Sequence, residues 1–598
     1  MKQADLIVHT HHMYTMEGDG VGYHLDDSIA IVNGKIAKIA PRDEIEREFT
    51  AVETLDATAY LVLPGLIDGH MHSTNCAMRG IAQDVGNWMM HGAGPFQTNA
   101  TSATRRAGSK LAIAEAVMNG TTTIGEEGFA LDSPCEFIQK VGVRGNVGVR
   151  IRSALNRVYA PGELYEYDEK YTEETFSAAK DVFNQWHGAD NGRIRVMFAP
   201  QGADFVSEEV LHEALDLAHR HNTLMYLHLS QGSRETKQMM MRYGSRTIPW
   251  MIERNLIDDH VVGIHLTDAL PEEVQQMVGH GGRMVLCSAA IGLIDGIQPP
   301  AKLFQDAGGM VGLGTDQANG NNEHSIFNEM RMTALFNKLK YEDPEVMPCW
   351  KVLRMATIEG ARAIGIDDAI GSLEAGKDAD LILLKLDTPA MRPIYTKPMR
   401  NLVPNAVYAA CGRDVDTTMM RNRRDALVAM SKLIVAAEKK ARELSDTLVF
   451  TVGKISVLPG AENVIPGECE ATFEFRHMDK KITDQFFEAI QTIAAGIPEC
   501  TFSFVNTCAK YSTPCDPKLI QTIVGVLEEM DVTYTTMPSG AGHDANALAH
   551  VGIPIGMIFV PSVAGISHHG KEWTDDRHVD MGVEALYRTV LKVDEMNF

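Results

Sequence analysis

The most constraining feature of the sequence is a strand-then-helix pattern that recurs about eight times between residues 61 and 365. Short apolar runs, such as RIRVMFAPQG and TLMYLHLSQG, alternate there with helical stretches. Repeated strand and helix units predict a parallel sheet covered by helices, and about eight of them predict a (β/α)8 TIM barrel of the α/β class. The active site of such a barrel lies where the C-terminal ends of the strands meet, so we expect the chemistry at the ends of the apolar runs.

The residues that flank the barrel region have the pattern of short β-strands. Residues 1–62 contain apolar runs joined by tight turns, one of them an Asn-Gly pair at Asn33 and Gly34. The segment GSLEAGKDADLILLKLD, which follows the barrel region, has the same pattern. We expect residues 1–62 and 366–415 to form one composite β-sandwich, and residues 63–365 to form the barrel domain.

A second change of pattern falls near residue 415. After it, apolar residues at positions 427, 430, 434, 437, 441 and 444 follow the spacing of an amphipathic helix. In the stretch ECEATFEFRHMD, the residues at 469, 471, 473 and 475 are apolar and alternate with polar ones, as on a strand with one buried face. We expect an α+β domain over residues 416–505, followed by a further segment, residues 506–598.

Composition limits the partners of the chain. The formal charge of -24 argues against a nucleic-acid partner, because binding to a phosphate backbone requires Lys and Arg. No segment approaches the ~20 uninterrupted apolar residues of a membrane helix, and the N-terminal residues lack the pattern of a secretory signal. The cysteines form no CxxC pair, which is typical of reduced thiols. We expect a cytoplasmic protein with a small-molecule substrate and no membrane contact.

Histidines and an aspartate stand at the ends of several predicted barrel strands. His70 and His72 end the run LVLPGLIDGHMH, and two residues apart on a strand they point to the same side. His228, His265 and Asp316 end later runs. Neutral imidazoles with a carboxylate suit one divalent zinc ion, or iron as a second choice, and leave a position open for water. Such an ion lowers the pKa of its water toward about 7 and so supplies a nucleophile for hydrolysis.

Five motifs, PGLIDGHMH, HLSQGSRE, GIHLTDA, GLGTDQANGNN and GSLEAGKDADLILL, resemble the amidohydrolase superfamily over about residues 3–415. The resemblance is to its branch of chlorohydrolases and aminohydrolases, which includes triazine hydrolases and the guanine, cytosine and methylthioadenosine deaminases. It implies His70, His72, His228 and Asp316 as metal ligands, His265 as a polarising residue and Asp316 also as a proton acceptor. The run RIRVMFAPQG offers no lysine that could bridge two ions, which favours a mononuclear, deaminase-like member over dihydroorotase-like and hydantoinase-like members. We therefore predict a metal-dependent hydrolase that cleaves a C–N bond of a small nitrogen heterocycle.

One position departs from the pattern of that branch. The deaminases carry a glutamate three residues after the strand histidine, where this chain has Gln231. An amide is neither acid nor base at neutral pH, so Gln231 cannot shuttle a proton. Glu235, one turn further on, is a candidate replacement, and Glu126 and Glu127 are weaker ones. The predicted catalytic residues are His265, Asp316, Gln231 and Glu235, and the predicted substrate-binding residues are Gln231, His265 and Gln317.

The C-terminal third resembles M20-family metallohydrolases, most closely N-carbamoyl-L-amino acid hydrolases and allantoate amidohydrolases, through motifs such as PSGAGHDANALA and MIFVPSVAGISHHGKEWTDD. The resemblance implies a lid and dimerisation domain over residues 416–505 and the closing part of a catalytic domain over residues 506–598. Its implied site residues are Asn463 and Arg476 on the substrate, His543 in the pocket and His568 as the last metal ligand. The other ligands of that family come from a half that this chain lacks, and one histidine cannot hold zinc. We predict a segment without its own catalysis that serves assembly into a homo-oligomer, a dimer or higher.

Two other functions stay open. One is hydrolysis of a cyclic amide or ureide, whose opened product a carbamoylase would process, so that the joining of the two parts would have a metabolic logic. The other is a non-catalytic metal-binding scaffold, because Gln231 removes the proton shuttle.

Overall fold

The computed structural model describes most of the chain as two compact units, Met1–Thr417 and Thr418–Phe598. The described residues are 1–86, 88, 92–157, 159–160, 162–396, 400–416, 425–458, 467–498, 500–507, 512–539 and 541–596. None of the helices within these ranges is long and apolar enough to cross a membrane.

The described strands lie in three sheets. In chain order they are β1 (Lys2–Tyr14), β2 (Tyr23–Leu25), β3 (Asp27–Val32), β4 (Lys35–Pro41), β5 (Phe49–Pro64), β6 (Leu66–Met71), β7 (Thr121–Gly128), β8 (Arg144–Ile151), β9 (Ile194–Pro200), β10 (Met225–Leu229), β11 (Val261–His265), β12 (Arg283–Leu286), β13 (Val311–Leu313), β14 (Leu381–Lys385), β15 (Val415–Asp416), β16 (Val449–Leu458) and β17 (Glu468–Arg476).

The described α-helices follow the strands of the barrel region and dominate the second unit. They are α1 (Arg42–Glu48), α2 (Gly94–Asn99), α3 (Ser102–Met118), α4 (Asp132–Val141), α5 (Glu169–Trp186), α6 (Glu208–Arg220), α7 (Gly232–Tyr243), α8 (Thr247–Glu253), α9 (Pro271–Gly279), α10 (Ser288–Ile294), α11 (Ala301–Asp306), α12 (Ala318–Asn321), α13 (Ile326–Tyr341), α14 (Cys349–Met355), α15 (Ile358–Ala363), α16 (Leu402–Tyr408), α17 (Ala426–Leu444), α18 (Lys480–Ala495), α19 (Pro517–Glu529), α20 (Ala545–His550) and α21 (Asp576–Asp594).

One 7-stranded sheet joins the two ends of the first unit. Its order is β15-β14-β5-β1-β3-β4, with β2 on β1. Strand β14 runs antiparallel to β5 and pairs Leu383 with Val62, so residues far apart in sequence share this sheet. Arg144 at the start of β8 adds polar contacts, because its guanidinium lies 2.6 Å from carboxylate oxygens of both Asp378 and Asp380. The strands before and after the barrel are therefore held together beside it.

The second sheet is the barrel itself. Its 8 strands lie in chain order from β6 to β13, and each is parallel to its neighbour. Met71, at the end of β6, forms a parallel bridge with Asp316, three residues beyond β13, and this bridge brings the first and last strands together. The (β/α)8 barrel predicted from the sequence is thus confirmed.

Apolar residues fill the barrel between its strands, as the continuous hydrophobic runs predict. Ile67, Tyr226, Ile264 and Val285 belong to one buried cluster contributed by four different strands. A larger cluster packs the outer faces of the strands against the surrounding helices. This packing fixes the strand ends, and with them the side chains that follow.

The second unit begins with a helix on a two-stranded sheet. Strands β16 and β17 are antiparallel and pair Phe450 with Phe475, and both rings contact Phe486 of α18 edge-on at 5.2 Å. Helices α17 and α18 contribute the rest of this small core, including Leu433 and Ile490. The amphipathic helix and the alternating strand predicted from the sequence are both present.

The last hundred residues contain few regular elements and many exposed apolar side chains. Within residues 500–507, 512–539 and 541–596, helices α19, α20 and α21 are the regular elements longer than one turn, and no strand is found. The apolar side chains of Met537 and Trp573 are 66% and 64% exposed, and Phe559 is 51% exposed. Apolar residues with the sequence of buried strands therefore lie here outside any strand, with large side chains exposed.

Candidate metal centre

The site is built where the first and last barrel strands meet. His70 is the last but one residue of β6, and His72 follows that strand directly. The backbone N–H of Asp316 donates to the His70 carbonyl at 2.8 Å, and the His72 N–H donates to the Asp316 carbonyl at 3.2 Å. These two bonds bring the Asp316 carboxylate within 3.6 Å of His70 Nε2 and 3.3 Å of His72 Nε2.

Two further histidines face the same point from later strands. His228 lies in β10 and His265 ends β11, and the register pairs Leu229 with His265. The His70 ring centroid lies 5.0 Å from that of His228 and 5.5 Å from that of His265. His265 Nε2 is 3.9 Å from the second oxygen of Asp316. His70 therefore lies beside every other residue of the predicted metal site.

The outer nitrogen of each predicted histidine ligand is fixed by a hydrogen bond. The Tyr226 hydroxyl donates to the Gly69 carbonyl at 2.7 Å, so it accepts a hydrogen bond from His70 Nδ1, also at 2.7 Å. His72 Nδ1 donates to the Glu127 carbonyl at 2.8 Å, and His228 Nδ1 donates to the Gln201 carbonyl at 3.0 Å. Since Nδ1 carries the proton in each ring, Nε2 presents a lone pair to the centre.

The histidine ring nitrogens that face the centre have the properties of metal ligands. His70 Nε2 and both ring nitrogens of His265 are buried without a hydrogen-bond partner among the described residues. Burial lowers the pKa of His228 to about 3 and holds the pKa values of His70 and His265 well below their usual range, so these rings are neutral. Buried, neutral and unpaired imidazole nitrogens beside a carboxylate fit a divalent ion.

Asp316 is oriented by a buried network behind it. Asp68 accepts hydrogen bonds from the Thr315 N–H at 2.9 Å and from the Thr315 hydroxyl at 2.6 Å. Asp316 itself has a left-handed backbone with a φ of 57°, a conformation that costs energy for a non-glycine residue. The contacts of Thr315 and the two bonds to β6 hold Asp316 in this conformation, which turns its carboxylate toward the histidines.

A second carboxylate reaches the centre from β7. Glu127 Oε2 lies 3.4 Å from His72 Nδ1 and 3.8 Å from His228 Nε2. Arg150 of β8 holds both Glu127 oxygens, with Nε at 2.6 Å from Oε1 and one terminal nitrogen at 2.9 Å from Oε2. The sequence marked Glu127 only as a weak candidate for proton transfer. Its position at the end of an apolar run was the available signal, but its partner on the neighbouring strand could not be identified from spacing.

The predicted proton-transfer residues have different environments. Gln231 is the residue before α7, and its side chain is half-buried. Glu235 is buried, and its carboxylate accepts bonds from the N–H groups of Ser230 and Gln231 at 2.8 and 2.7 Å and from the Thr247 hydroxyl at 2.7 Å. Glu235 therefore stabilises the start of its own helix, which favours a capping role over proton transfer.

Gln317 is placed beside the centre by its neighbour Asp316. Its side chain is buried, and its Oε1 accepts a hydrogen bond from Asn75 Nδ2 at 3.3 Å. Asn75 lies three residues after His72, so this amide pair connects the segments that follow the first and last barrel strands.

The residues predicted from the M20 resemblance lie in the second unit. Arg476 is exposed at the end of β17 and pairs with Glu474. The ring of His543 lies 5.5 Å from that of Phe559, and its Nε2 contacts the Ser539 hydroxyl at 2.6 Å. His568 is exposed, and its backbone N–H donates to Glu572 at 2.8 Å. Asn463 lies outside the described residues. Among the residues that the structure describes, every group of three metal-donor side chains is in the first unit.

Removing the hydroxyl behind His70 tests the geometry of the centre. We expect Tyr226→Phe to weaken zinc binding about 10-fold to 100-fold, because His70 loses the partner that fixes its tautomer and ring orientation. Competition with a chromogenic chelator measures the dissociation constant. Tyr14→Phe, an equally buried tyrosine in β1, is the matched control and should leave zinc affinity within about 2-fold of wild type. Equal affinities in the two variants would contradict the role of Tyr226.

Two known families match the chain. Residues 61–424 match the amidohydrolase family, and residues 417–498 match the M20 peptidase dimerisation domain. The first match covers more than half of the chain, and it contains every residue of the metal centre.

Similar proteins act on adenosine derivatives. The 5-methylthioadenosine/S-adenosylhomocysteine deaminase of Syntrophobacter fumaroxidans is 32% identical over 425 residues, which are 70% of this chain and 92% of that protein. The 5'-deoxyadenosine deaminase of Methanosphaera stadtmanae is 30% identical over 422 residues, or 69% of this chain and 92% of that protein. A crystal structure of an adenosine deaminase from Xanthomonas campestris with bound zinc is 25% identical and has a TM-score of 0.63, over 69% of this chain and 91% of that one.

Proposed function

Because the chain belongs to the amidohydrolase family and is a metal-dependent hydrolase of carbon–nitrogen bonds, we propose that it releases ammonia from the amino-substituted ring of an adenosine derivative. The observation that carries the proposal is the convergence of unpaired imidazole nitrogens and the Asp316 carboxylate at the barrel seam. Zinc is the proposed ion, since the donor set suits it and the similar adenosine deaminase was crystallised with zinc. Its ligands are His70, His72, His228 and Asp316.

The chain's own residues have separate tasks in the proposed reaction. The ion, when bound, lowers the pKa of a water molecule so that hydroxide is available at neutral pH. Asp316 accepts a proton of the attacking water on the oxygen that lies 3.9 Å from His265 Nε2, and His265 polarises the substrate. Water adds its oxygen to the ring carbon, the carbon–nitrogen bond breaks, and the amino group leaves as ammonia with one proton of the water, while the other proton stays on the ring product.

Gln231 limits proton transfer in the proposed reaction. A glutamine at this place donates and accepts hydrogen bonds but moves no proton at neutral pH, so Asp316 must both remove the proton from water and return it to the departing amine. Glu235, the nearest alternative in sequence, is engaged on Ser230, Gln231 and Thr247. We infer slow turnover of amines and faster turnover of substrates with a better leaving group.

A substrate panel tests the proposed function. Zinc-loaded protein is incubated with adenosine, 5'-deoxyadenosine, methylthioadenosine and S-adenosylhomocysteine, and separately with a chlorotriazine, guanine, a hydantoin, a dihydropyrimidine and an N-carbamoyl amino acid. Ammonia release and the change in ring absorbance from one of the first four would support the proposal. Turnover of the hydantoin or dihydropyrimidine alone would favour the cyclic-ureide alternative. No turnover by protein with stoichiometric zinc would favour the scaffold.

We also infer that the second unit joins copies of this chain. Residues 417–498 match a dimerisation domain, and each strand of its sheet has one partner within residues 425–458 and 467–498, so both edges are open. Strand β16 also exposes apolar side chains, with Val449, Ile455 and Leu458 between 46% and 57% exposed. An open edge with exposed apolar residues is stabilised by pairing with another strand.

A charge on β16 tests this assembly. We expect Ile455→Asp to shift wild-type dimers toward monomers, because a buried aspartate at the interface would lose its hydration. Light scattering coupled to size-exclusion chromatography measures the mass of both proteins. Ammonia release at saturating substrate should stay within about 2-fold of wild type, since unit one contains the whole metal centre. An unchanged mass would exclude β16 from the interface.

A further inference from the structure

Glu127 occupies a place in the barrel that the proposed ligand set leaves unexplained. It is the last but one residue of β7, its side chain is 2% exposed, and its carboxylate faces the histidines and not solvent. A buried carboxylate is costly unless it is paired or binds a cation. Arg150 provides one partner, yet the Glu127 Oε2 that contacts Arg150 also lies 3.8 Å from His228 Nε2, a nitrogen proposed to face the metal.

We propose that Glu127 is a further carboxylate ligand of the metal centre, an inference that rests on the proposed zinc site. The donor atoms of His70, His72, Glu127 and His228 all lie within 4.8 Å of one another. Asp316 forms a separate group of the same compactness with His70 and His265. The two groups share His70, so both carboxylates approach that histidine.

Arg150 positions this carboxylate. It donates to both oxygens, and its guanidinium lies 5.0 Å from the ring centre of Phe129, so its orientation is fixed from two sides. Bonds of this kind from a neighbouring side chain orient a metal ligand toward its ion, so the contacts of Arg150 suit a carboxylate that takes part in the centre.

A second carboxylate changes the character of the centre. Two carboxylates balance the charge of a divalent ion, and Arg150 leaves one positive charge beside it. A set of three imidazoles and two carboxylates has more oxygen ligands than most catalytic zinc sites. Additional oxygen ligands suit iron and manganese better than a set with one carboxylate does. We expect the chain to bind Fe²⁺ and Mn²⁺ as well as Zn²⁺.

Zinc affinity measured by chelator competition tests the proposal on the full-length protein. We expect Glu127→Gln to raise the zinc dissociation constant at least about 10-fold while binding stays at one ion per chain. Glu126→Gln is the matched control: it is the same change one residue away, on a buried side chain that accepts bonds from the Ser73 N–H and whose pKa burial raises to about 8. The control should bind zinc within about 2-fold of wild type.

The outcomes separate the ligand role from the centre itself. If Glu127→Gln binds zinc as tightly as wild type, Glu127 is not a ligand and the proposed centre stands. If wild type binds no stoichiometric zinc, the proposed centre fails first. Should the variant not fold, zinc-edge anomalous diffraction from wild-type crystals decides: an oxygen of Glu127 about 2.0 to 2.2 Å from the ion would support the inference, and one beyond about 3 Å would overturn it.

Discussion

Replacing His228 with alanine is expected to reduce ammonia release by more than about 10²-fold and to lower the zinc content of the purified protein. Loss of a residue that only orients a ligand already costs about 10-fold to 100-fold in metal affinity or activity, so loss of a ligand costs more. His228 is the proposed ligand that lies outside the junction of the first and last barrel strands. Its removal therefore leaves the backbone hydrogen bonds between Asp316 and the residues at the end of β6 intact. Metal analysis and ammonia assays on the same preparation measure both effects.

His568→Ala is the matched control for that change. It is the same substitution in the second unit, at an exposed histidine whose backbone N–H, and not its ring, contacts Glu572. We expect activity and zinc content within about 2-fold of wild type, because substitutions at exposed positions outside the core and outside hydrogen-bond networks have small effects. If His568→Ala abolished ammonia release while His228→Ala did not, the catalytic centre would lie in the second unit and the proposed function would be wrong.

Gln231→Glu is expected to increase the rate of ammonia release from an adenosine derivative by about 10²-fold. A positioned general acid and base contributes about 10²-fold to 10⁴-fold, and the glutamate would carry protons that the amide cannot. Gln231 is half-buried at the start of α7, three residues after His228, and the backbone N–H with which it contacts Glu235 is kept in the variant. Steady-state rates at saturating substrate give the comparison.

Gln317→Glu is the control for this gain. It is the same chemical change at another glutamine beside the centre, but its Oε1 is engaged by Asn75. We expect no gain there, since the side-chain amide of Asn75 would hold the new carboxylate as it holds Oε1 of Gln317. A Gln231→Glu variant that binds zinc normally and shows no increase would mean that proton transfer at this position does not limit the reaction. The pH–rate profile adds a check, because the new acid should introduce a limb that wild type lacks.

The sequence predicted the barrel because its strands are continuous apolar runs of a distinctive length. His70, His72, His228, His265 and Asp316 could be grouped because each stands at the end of such a run, and strand ends of a barrel converge. Glu127 also ends a run, but its importance depends on Arg150 and on the distance to His228, and neither follows from spacing along the chain. Side chains that meet across strands are the part that only the structure provides.

Glu235 shows a second limit of the sequence. Its spacing from His228 suits proton transfer and suits helix capping equally, and the hydrogen bonds to Ser230 and Gln231 distinguish the two. The segment around Phe559 is a third case. Its residues have strong strand propensity, but the structure describes no strand there, because pairing needs partner strands as well as propensity.

The bridge between Met71 and Asp316 has a consequence for biosynthesis. Asp316 follows His70 by 246 residues (316 − 70), so a ribosome synthesising 5 to 20 residues per second makes the two ligands roughly 10 to 50 seconds apart. During that interval His70 and His72 are made but cannot be part of a complete ligand set. An ion that binds afterwards cross-links the first and last strands and closes a loop of about 250 residues. The longer the loop that a cross-link closes, the more conformational entropy the unfolded chain loses. Metal supply should therefore determine how much newly made protein reaches the closed barrel, as well as how fast the finished enzyme turns over.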